Sequence, residues 1–437
     1  MTMSSLYQKV RSVSFDVLWR TALVRLPRAV PISTLKWTSP EGPHPFVFHL
    51  PSRSDEYTIP LHIFVPQSLY DSAPADGAPV LVDFHGGGFY LGSCLEQAPF
   101  CAYMARKLDS IVISVDYRMG PFHSFPAAIE DGEDVLSAIL DKDFPGYKPL
   151  REAVAARIQS EKAKIAKRGA AAIDEQHKQE LQKGNIEQIT VPTQSKSSTT
   201  PASSSTAGSS RPAFDFDSTK VAVSGFSSGG NLALNLALDI RPPELESPWP
   251  SRFTPNYSTP IPLLLFYPSF DLRQLPSQRS RPEHMGLPSA FWTQVADSLA
   301  PTYAERDQTS HPRVSPGLAS LDSLHPAARM FLVLCELDTL SEQSKQWVAK
   351  VQAHKRTEHL VVEDVANMKH GWTQMPDGWL SPEEKQAKQA VFTKATAFVD
   401  WAWNGAQGQD KPKSQLVVPQ KDTGKAQTAD ISPKEVV

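Results

Sequence analysis

Cysteine is scarce in this chain: Cys94, Cys101 and Cys335 are the only three in 437 residues. An odd, low count provides no disulfide framework and favours a reducing compartment, so a cytoplasmic location is the first expectation. Their spacing matches no zinc site, and they read as small buried apolar side chains. No run of 18 or more apolar residues occurs, so no transmembrane helix is expected. The N-terminus lacks the continuous apolar core of a secretory signal. Charge of one sign is lacking too: the net charge is −3, which argues against the basic field that nucleic acid requires. Internal repeats are absent. Proline is the exception to this scarcity, at 38 residues, and much of it falls in loops and polar stretches.

What is present is a series of short apolar runs rich in β-branched residues. Candidate strands are Pro45 to Leu50, Tyr57 to Val65, Ala78 to Phe84, Ile111 to Tyr117, Lys220 to Gly225, Ile261 to Tyr267, Met330 to Cys335 and Thr357 to Glu363. Most of the later runs are apolar on both alternations (VLVDF, VAVSGF, LLLFYP, FLVLC), as strands covered on both faces are. Between them lie helical patterns at Ala98 to Leu108, Ala127 to Leu140, Ser227 to Leu238, Ser341 to Ala353 and Pro382 to Trp403. The class is therefore α/β, with a mostly parallel sheet and an antiparallel edge made by the first two strands. The core divides into residues 45–141 and 218–403. Between them, residues 142–217 read as a low-complexity surface insertion: Arg151 to Leu181 helical with little apolar face, Thr193 to Pro212 disordered because it cannot bury enough apolar surface. Residues 404–437 read as a disordered tail.

Two glycine-rich turns carry chemistry. Gly225-Phe226-Ser227-Ser228-Gly229 lies between an apolar strand and a helix. Small neighbours let a serine occupy a tight strand-to-helix turn, which lifts its hydroxyl out of the sheet and sets the next N–H at a helix N-terminus. The alternative is an ordinary Gly/Ser turn. His85-Gly86-Gly87-Gly88-Phe89 follows the strand VLVDF. Three successive glycines suit neither strand nor helix, but they let backbone N–H groups turn toward a developing negative charge. Such a loop could instead cradle a phosphate, although the Lys and Ser/Thr of phosphate loops are absent.

A serine hydroxyl needs a base. After a strand–turn–helix elbow, acid and base follow in chain order. Asp338 stands just beyond the strand MFLVLC and His370 beyond LVVED, both where strand C-termini deliver residues to a crevice. Glu336, Glu342, His354 and His359 are the rivals in the same stretch.

Together these pieces resemble the hormone-sensitive-lipase-like group of α/β-hydrolases, which includes arylacetamide deacetylase and many microbial carboxylesterases. The resemblance runs from Val80 to Trp372 and rests on HGGGF, on VDYRMGPFHSFPAAIED from Val115 to Asp131, on GFSSGGN from Gly225 to Asn231, on FYPSFD from Phe266 to Asp271, on LDTLSE from Leu337 to Glu342 and on HGW from His370. It implies an α/β-hydrolase fold of eight strands, with Ser227 as nucleophile, Asp338 and His370 completing a triad, and the amides of Gly87, Gly88 and Ser228 forming the oxyanion hole. It also implies a helical cap built from residues 1–44 and about 272–327. The amphipathic stretch from Leu6 to Leu26 then reads as cap, ahead of a mitochondrial presequence or a membrane-surface helix. Phe291, Trp292 and Tyr303 would be either acyl-pocket lining or cap core. The chain departs from the group at Phe226 and Ser228, which flank the nucleophile, and at Thr339 after the acid; Phe226 is expected to make the pocket floor more apolar.

The function this implies is hydrolysis of small to medium carboxylic esters through an acyl-enzyme on Ser227, with no metal and no cofactor. Amide or formamide hydrolysis, or a natural-product tailoring step, would use the same triad. A reading of another class is a non-catalytic small-molecule receptor or scaffold, as in the gibberellin receptors this group resembles; those lose the histidine that His370 represents here. The expected partner is a small ester, with no nucleic acid; peripheral membrane contact through the N-terminus and the oligomeric state stay open.

Overall fold

The computed structural model describes residues 10–54, 57–72, 74, 76–182, 214–405 and 412–414. Thr193 to Pro212, most of the tail beyond Asn404 and the first nine residues lie outside the described residues. Eight strands form one sheet: β1 (Phe46–Pro51), β2 (Thr58–Phe64), β3 (Ala78–Phe84), β4 (Ile111–Val115), β5 (Phe216–Phe226), β6 (Ile261–Phe266), β7 (Ala328–Leu337) and β8 (Leu360–Lys369). Their spatial order is β1-β2-β4-β3-β5-β6-β7-β8. β1 pairs antiparallel with β2, and β2 with β4; all other pairs are parallel. The expected antiparallel edge and parallel body are both present.

Eight longer helices accompany the sheet: α1 (Phe15–Arg25), α2 (Cys94–Leu108), α3 (Ala127–Leu140), α4 (Tyr147–Gln182), α5 (Ser228–Leu236), α6 (Ala290–Leu299), α7 (Ser341–Ala353) and α8 (Pro382–Asn404). Strand side chains alternate between the two faces, and the two cores separate by that alternation. Val80, Val82, Val223, Leu263, Leu265 and Leu332 pack with α3, α5, α7 and the start of α4. Leu81, Val112, Ala222, Leu264, Phe331 and Val361 pack with α2 and α8. Helix α8 begins with a reciprocal cap: Ser381 Oγ accepts from the Glu384 amide at 3.1 Å and the Glu384 carboxylate accepts from the Ser381 amide at 2.8 Å, with Pro382 at the first helical position.

Two local expectations change. Helix α4 is present where a helix was expected, but its first turns are core rather than surface. Leu150, Val154 and Ile158 recur every four residues and are buried against the main core, while Arg151 is buried with its guanidinium on the carbonyls of Ala138 and Ile139 and on Asp215. A four-residue repeat suffices to hold one stripe, even where the polar residues beyond it dominate the composition. Phe226 does not floor a pocket. It is 1% exposed and stacks on Phe266 at 4.2 Å, with Phe100 edge-on at 4.9 Å, because its place at the end of β5 turns it toward the α2/α8 layer.

Helix α1 packs on α6. Its basic residues face inward: Arg20 donates to the Gln294 carbonyl at 3.0 Å and to Ser298 Oγ at 2.9 Å. Tyr303 is fully buried in the main core, its ring 3.7 Å from that of Phe89, whereas Phe291 and Trp292 are exposed at the surface of α6. The three aromatics thus split between core and surface. Among the described residues no helix is long and apolar enough to cross a membrane.

Candidate active site

Ser227 stands between β5 and α5 with φ 55° and ψ −114°, a backbone conformation that costs an L-residue on the order of 1–3 kcal/mol. The turn holds because its neighbours are small and its backbone is pinned. A Cβ at Gly225 would sit on the Gly229 carbonyl. The Ser227 amide donates to the Phe266 carbonyl at 2.9 Å, and the Ser227 carbonyl accepts from the Ser269 amide at 3.1 Å. The hydroxyl is thereby raised at the C-terminal end of the parallel strands.

His370 follows the last residue of β8, which runs six residues beyond the expected strand end at Glu363 and delivers the ring directly. Its Nε2 lies 2.9 Å from Ser227 Oγ and its Nδ1 2.7 Å from Asp338 Oδ2. Asp338 follows β7 and is 2% exposed; its other oxygen accepts from the Leu340 amide at 2.8 Å. A carboxylate so held fixes the proton of the imidazole on Nδ1 and leaves Nε2 to accept from the serine. The Tyr267 ring meets the His370 ring edge-on at 4.9 Å, and its hydroxyl is bonded to Thr373. Tyr267 is a site neighbour that periodicity does not reveal, although it closes the apolar run of β6.

The rivals lie elsewhere. His354 pairs with Asp322 at 2.9 Å, and His359 with Glu358 at 3.3 Å. The Glu336 carboxylate accepts from the Asn367 amide, and that of Glu342 from Gln346.

The glycine loop after β3 lies beside the serine. Gly87 has φ +132° and Gly88 φ +61°, and a Cβ on Gly87 would collide with the Leu91 carbonyl, so the loop is closed to other residues. The Gly87 carbonyl accepts from the amides of Tyr90 and Leu91, which tightens the turn. Among the described residues, no protein acceptor bonds the amides of Gly87, Gly88 or Ser228. From outside, two arginines beyond α1 and at its end hold the loop. Arg25 donates to the Tyr90 carbonyl at 2.9 Å. Arg28 donates to the Gly92 carbonyl at 2.6 Å and clamps Asp116 through both carboxylate oxygens at 2.5 and 2.7 Å. Burial works to raise the Asp116 pKa, but His85 and Arg28 overcome it and hold the carboxylate well below its ordinary value. Tyr117 fastens the same region, donating to the His85 carbonyl at 2.9 Å and contacting Ser228 Oγ at 3.2 Å.

A separate cleft of about 210 Å³ is lined by Arg25, Arg28, Tyr57, Asp116, Arg118 and Phe122, among others. Its guanidiniums are engaged: Arg25 and Arg28 as above, Arg118 on Asp131 at 2.8 Å. It holds none of Ser227, Asp338 and His370.

A family described by the α/β-hydrolase fold matches this sequence over residues 81–374, more than half of the chain. The chain belongs to that family. As an α/β-hydrolase it is similar to an AB hydrolase superfamily protein of Schizosaccharomyces pombe, 37% identical over 97 residues that make up 22% of this chain and 28% of that protein. It is similar to probable carboxylesterase 8 of Arabidopsis thaliana, 38% identical over 104 residues, 21% of this chain and 30% of that protein. The alignment thus spans less than a third of either relative. Among solved structures, the hyperthermophilic esterase of Pyrobaculum calidifontis superposes with a TM-score of 0.52 at 20% identity, covering 90% of this α/β-hydrolase and 97% of that chain. A fungal esterase of Rhizomucor miehei gives 0.52 at 17% identity, covering 92% and 97%. At such identities the likeness is one of fold.

Proposed function

We propose that the chain is a serine hydrolase of carboxylic esters, acting through an acyl-enzyme on Ser227. The observation that carries this reading is the continuous path from Asp338 through His370 to Ser227, at 2.7 and 2.9 Å, on a strained elbow beside amides that, among the described residues, bond no protein acceptor. Ser227 Oγ attacks the ester carbonyl while His370 Nε2 takes its proton. The oxyanion accepts from the amides of Gly87, Gly88 and Ser228, donors fixed before the charge develops. Collapse expels the alkoxide, which takes the proton from His370. Water, deprotonated by the same ring, then releases the acid. The names of the relatives, a probable carboxylesterase among them, agree with this choice of bond. Tyr303 and Phe226 are buried in the core, and the substrates proposed are small to medium esters.

The test is hydrolysis of p-nitrophenyl esters from acetate to decanoate by the wild type and by Ser227→Ala, with fluorophosphonate labelling. Turnover lost in the variant supports the reading. Turnover that persists in Ser227→Ala removes it.

A further inference from the structure

The glycine loop closes on itself. Gly92, with φ +88°, lies so near the start of the loop that a Cβ there would sit 2.1 Å from the Gly86 carbonyl oxygen and 2.9 Å from His85 Nδ1. That ring nitrogen meets the Gly86 carbonyl at 2.7 Å, and the ring is fully buried, stacked on Tyr117 at 4.4 Å. The two ends of the turn, His85-Gly86 and Gly92, therefore stand side by side, with Gly87 and Gly88 between them. Glycines have little conformational preference of their own, so a turn built on them keeps one shape only where contacts around it fix that shape.

One side chain grips both ends. Arg28 Nη1 donates to the Gly92 carbonyl at 2.6 Å, and its Nη2 donates to both oxygens of Asp116 at 2.5 and 2.7 Å. Asp116 in turn lies 3.8 Å from His85 Nε2. A guanidinium suits this place because its fork serves a carboxylate and a carbonyl at once, in fixed directions. Arg25 holds the stretch between the ends, donating to the carbonyls of Tyr90 and Gly120, and the Gly120 amide donates to the Phe89 carbonyl at 3.0 Å. Both arginines belong to the N-terminal segment, outside the residues 81–374 that match the family. Arg28 bonds none of Ser227, Asp338 and His370. The cleft of about 210 Å³ behind the loop is lined by Arg28 and Asp116, so the place of the Arg28 guanidinium is reached from solvent.

We propose that Arg28 is a positioning residue for the reaction: by holding Gly92 directly and His85 through Asp116, it fixes the direction of the Gly87 and Gly88 amides and so the stabilisation of the oxyanion. This rests on the reading of Ser227 as an ester-cleaving nucleophile and deepens it. Donors aimed in advance at the developing charge act on the transition state far more than on the bound ester, so a loop released from Arg28 loses rate and keeps its affinity for substrate.

The experiment measures p-nitrophenyl butyrate turnover together with the rate and the stoichiometry of Ser227 labelling by a fluorophosphonate, for the wild type, Arg28→Ala and Arg28→Lys, each well below its Tm. Labelling to completion counts the competent molecules, so a loss of folded protein is separated from a loss of rate per site. Arg28→Ala is expected to label to completion but slowly, with kcat per labelled site down roughly tenfold to a hundredfold, less than or equal to the loss of one oxyanion donor, and KM within about twofold. Guanidinium ion added in trans should restore part of kcat in Arg28→Ala by entering through the cleft, and Arg28→Lys should fall between the two. Unchanged kcat per labelled site, with the deficit explained by molecules that do not label, overturns the proposal and leaves Arg28 a purely structural residue. A rise in KM at constant kcat overturns it too. A wild type that labels without turning over any ester still tests the proposal, through the labelling rate of Arg28→Ala: slowing supports it and an unchanged rate overturns it. A wild type that neither turns over esters nor labels at Ser227 refutes the serine-hydrolase reading itself, and the proposal falls with it.

Discussion

At the scale of single residues, the site depends on a proton held in one place. Asp338 bonds His370 Nδ1 at 2.7 Å, so an amide in its place should present the wrong tautomer to Ser227. Asp338→Asn is expected to keep the fold and lower kcat by a factor on the order of 10⁴, the size seen when the acid of such a triad is replaced; circular dichroism and ester turnover check the two halves of that statement. Arg28 acts one step further out. It clamps Asp116 and the Gly92 carbonyl behind the glycine loop. Arg28→Leu leaves Asp116 a poorly solvated carboxylate without its cation, and should destabilise the protein by roughly 1–3 kcal/mol, less than a fully buried pair because both side chains are partly exposed. The sign with pH follows from the depressed Asp116 pKa. The pair contributes above the unfolded carboxylate pKa and is lost as pH falls through the folded one. The variant's deficit in Tm should therefore be full at neutral pH and shrink in acid.

At the scale of elements, much was legible in the sequence and some was not, for identifiable reasons. Ser227, Asp338 and His370 could be named because each follows an apolar strand run, and parallel strands bring their C-terminal ends to one edge. Tyr90 could not. It sits in an irregular segment whose neighbours are set by tertiary packing, without periodicity to read. The start of α4 was legible in principle: Leu150, Val154 and Ile158 form a stripe, hidden by the charged residues that follow. Leu150→Ala should accordingly cost about 2–5 kcal/mol in chemical denaturation, whereas Ile165→Ala, on the exposed stretch of the same helix, should change little. The centre of the sheet holds a polar knot that alternation did not announce. Asp83 of β3 accepts from Ser114 of β4 at 3.1 Å and from Ser224 of β5 at 2.7 Å. Burial pushes its pKa up to about 6, against the hydrogen bonds. A carboxylate with a raised folded pKa is most favourable to the fold in acid, and its contribution falls as pH rises from about 4 to about 6. The Tm of Asp83→Asn relative to the wild type should thus improve over that interval and level off above it. A difference that stays flat across pH would show that the carboxyl does not titrate there.

At the scale of the whole molecule, chain segments far apart in sequence are assembled around one edge of the sheet. Helix α1 reaches α6 through Arg20, and Arg25 and Arg28 reach the glycine loop. The N-terminal segment and the stretch before β7 therefore pack on each other and against the glycine loop, and Arg20→Ala should raise proteolytic cleavage within α1 while leaving the central sheet protected in hydrogen exchange. The measurement that bears most directly on the account is active-site labelling with a fluorophosphonate probe, read by peptide mass spectrometry beside ester turnover. The account expects one adduct, on Ser227, with turnover abolished in step with labelling and no adduct in Ser227→Ala. Ester turnover that survives complete modification of Ser227 would contradict it.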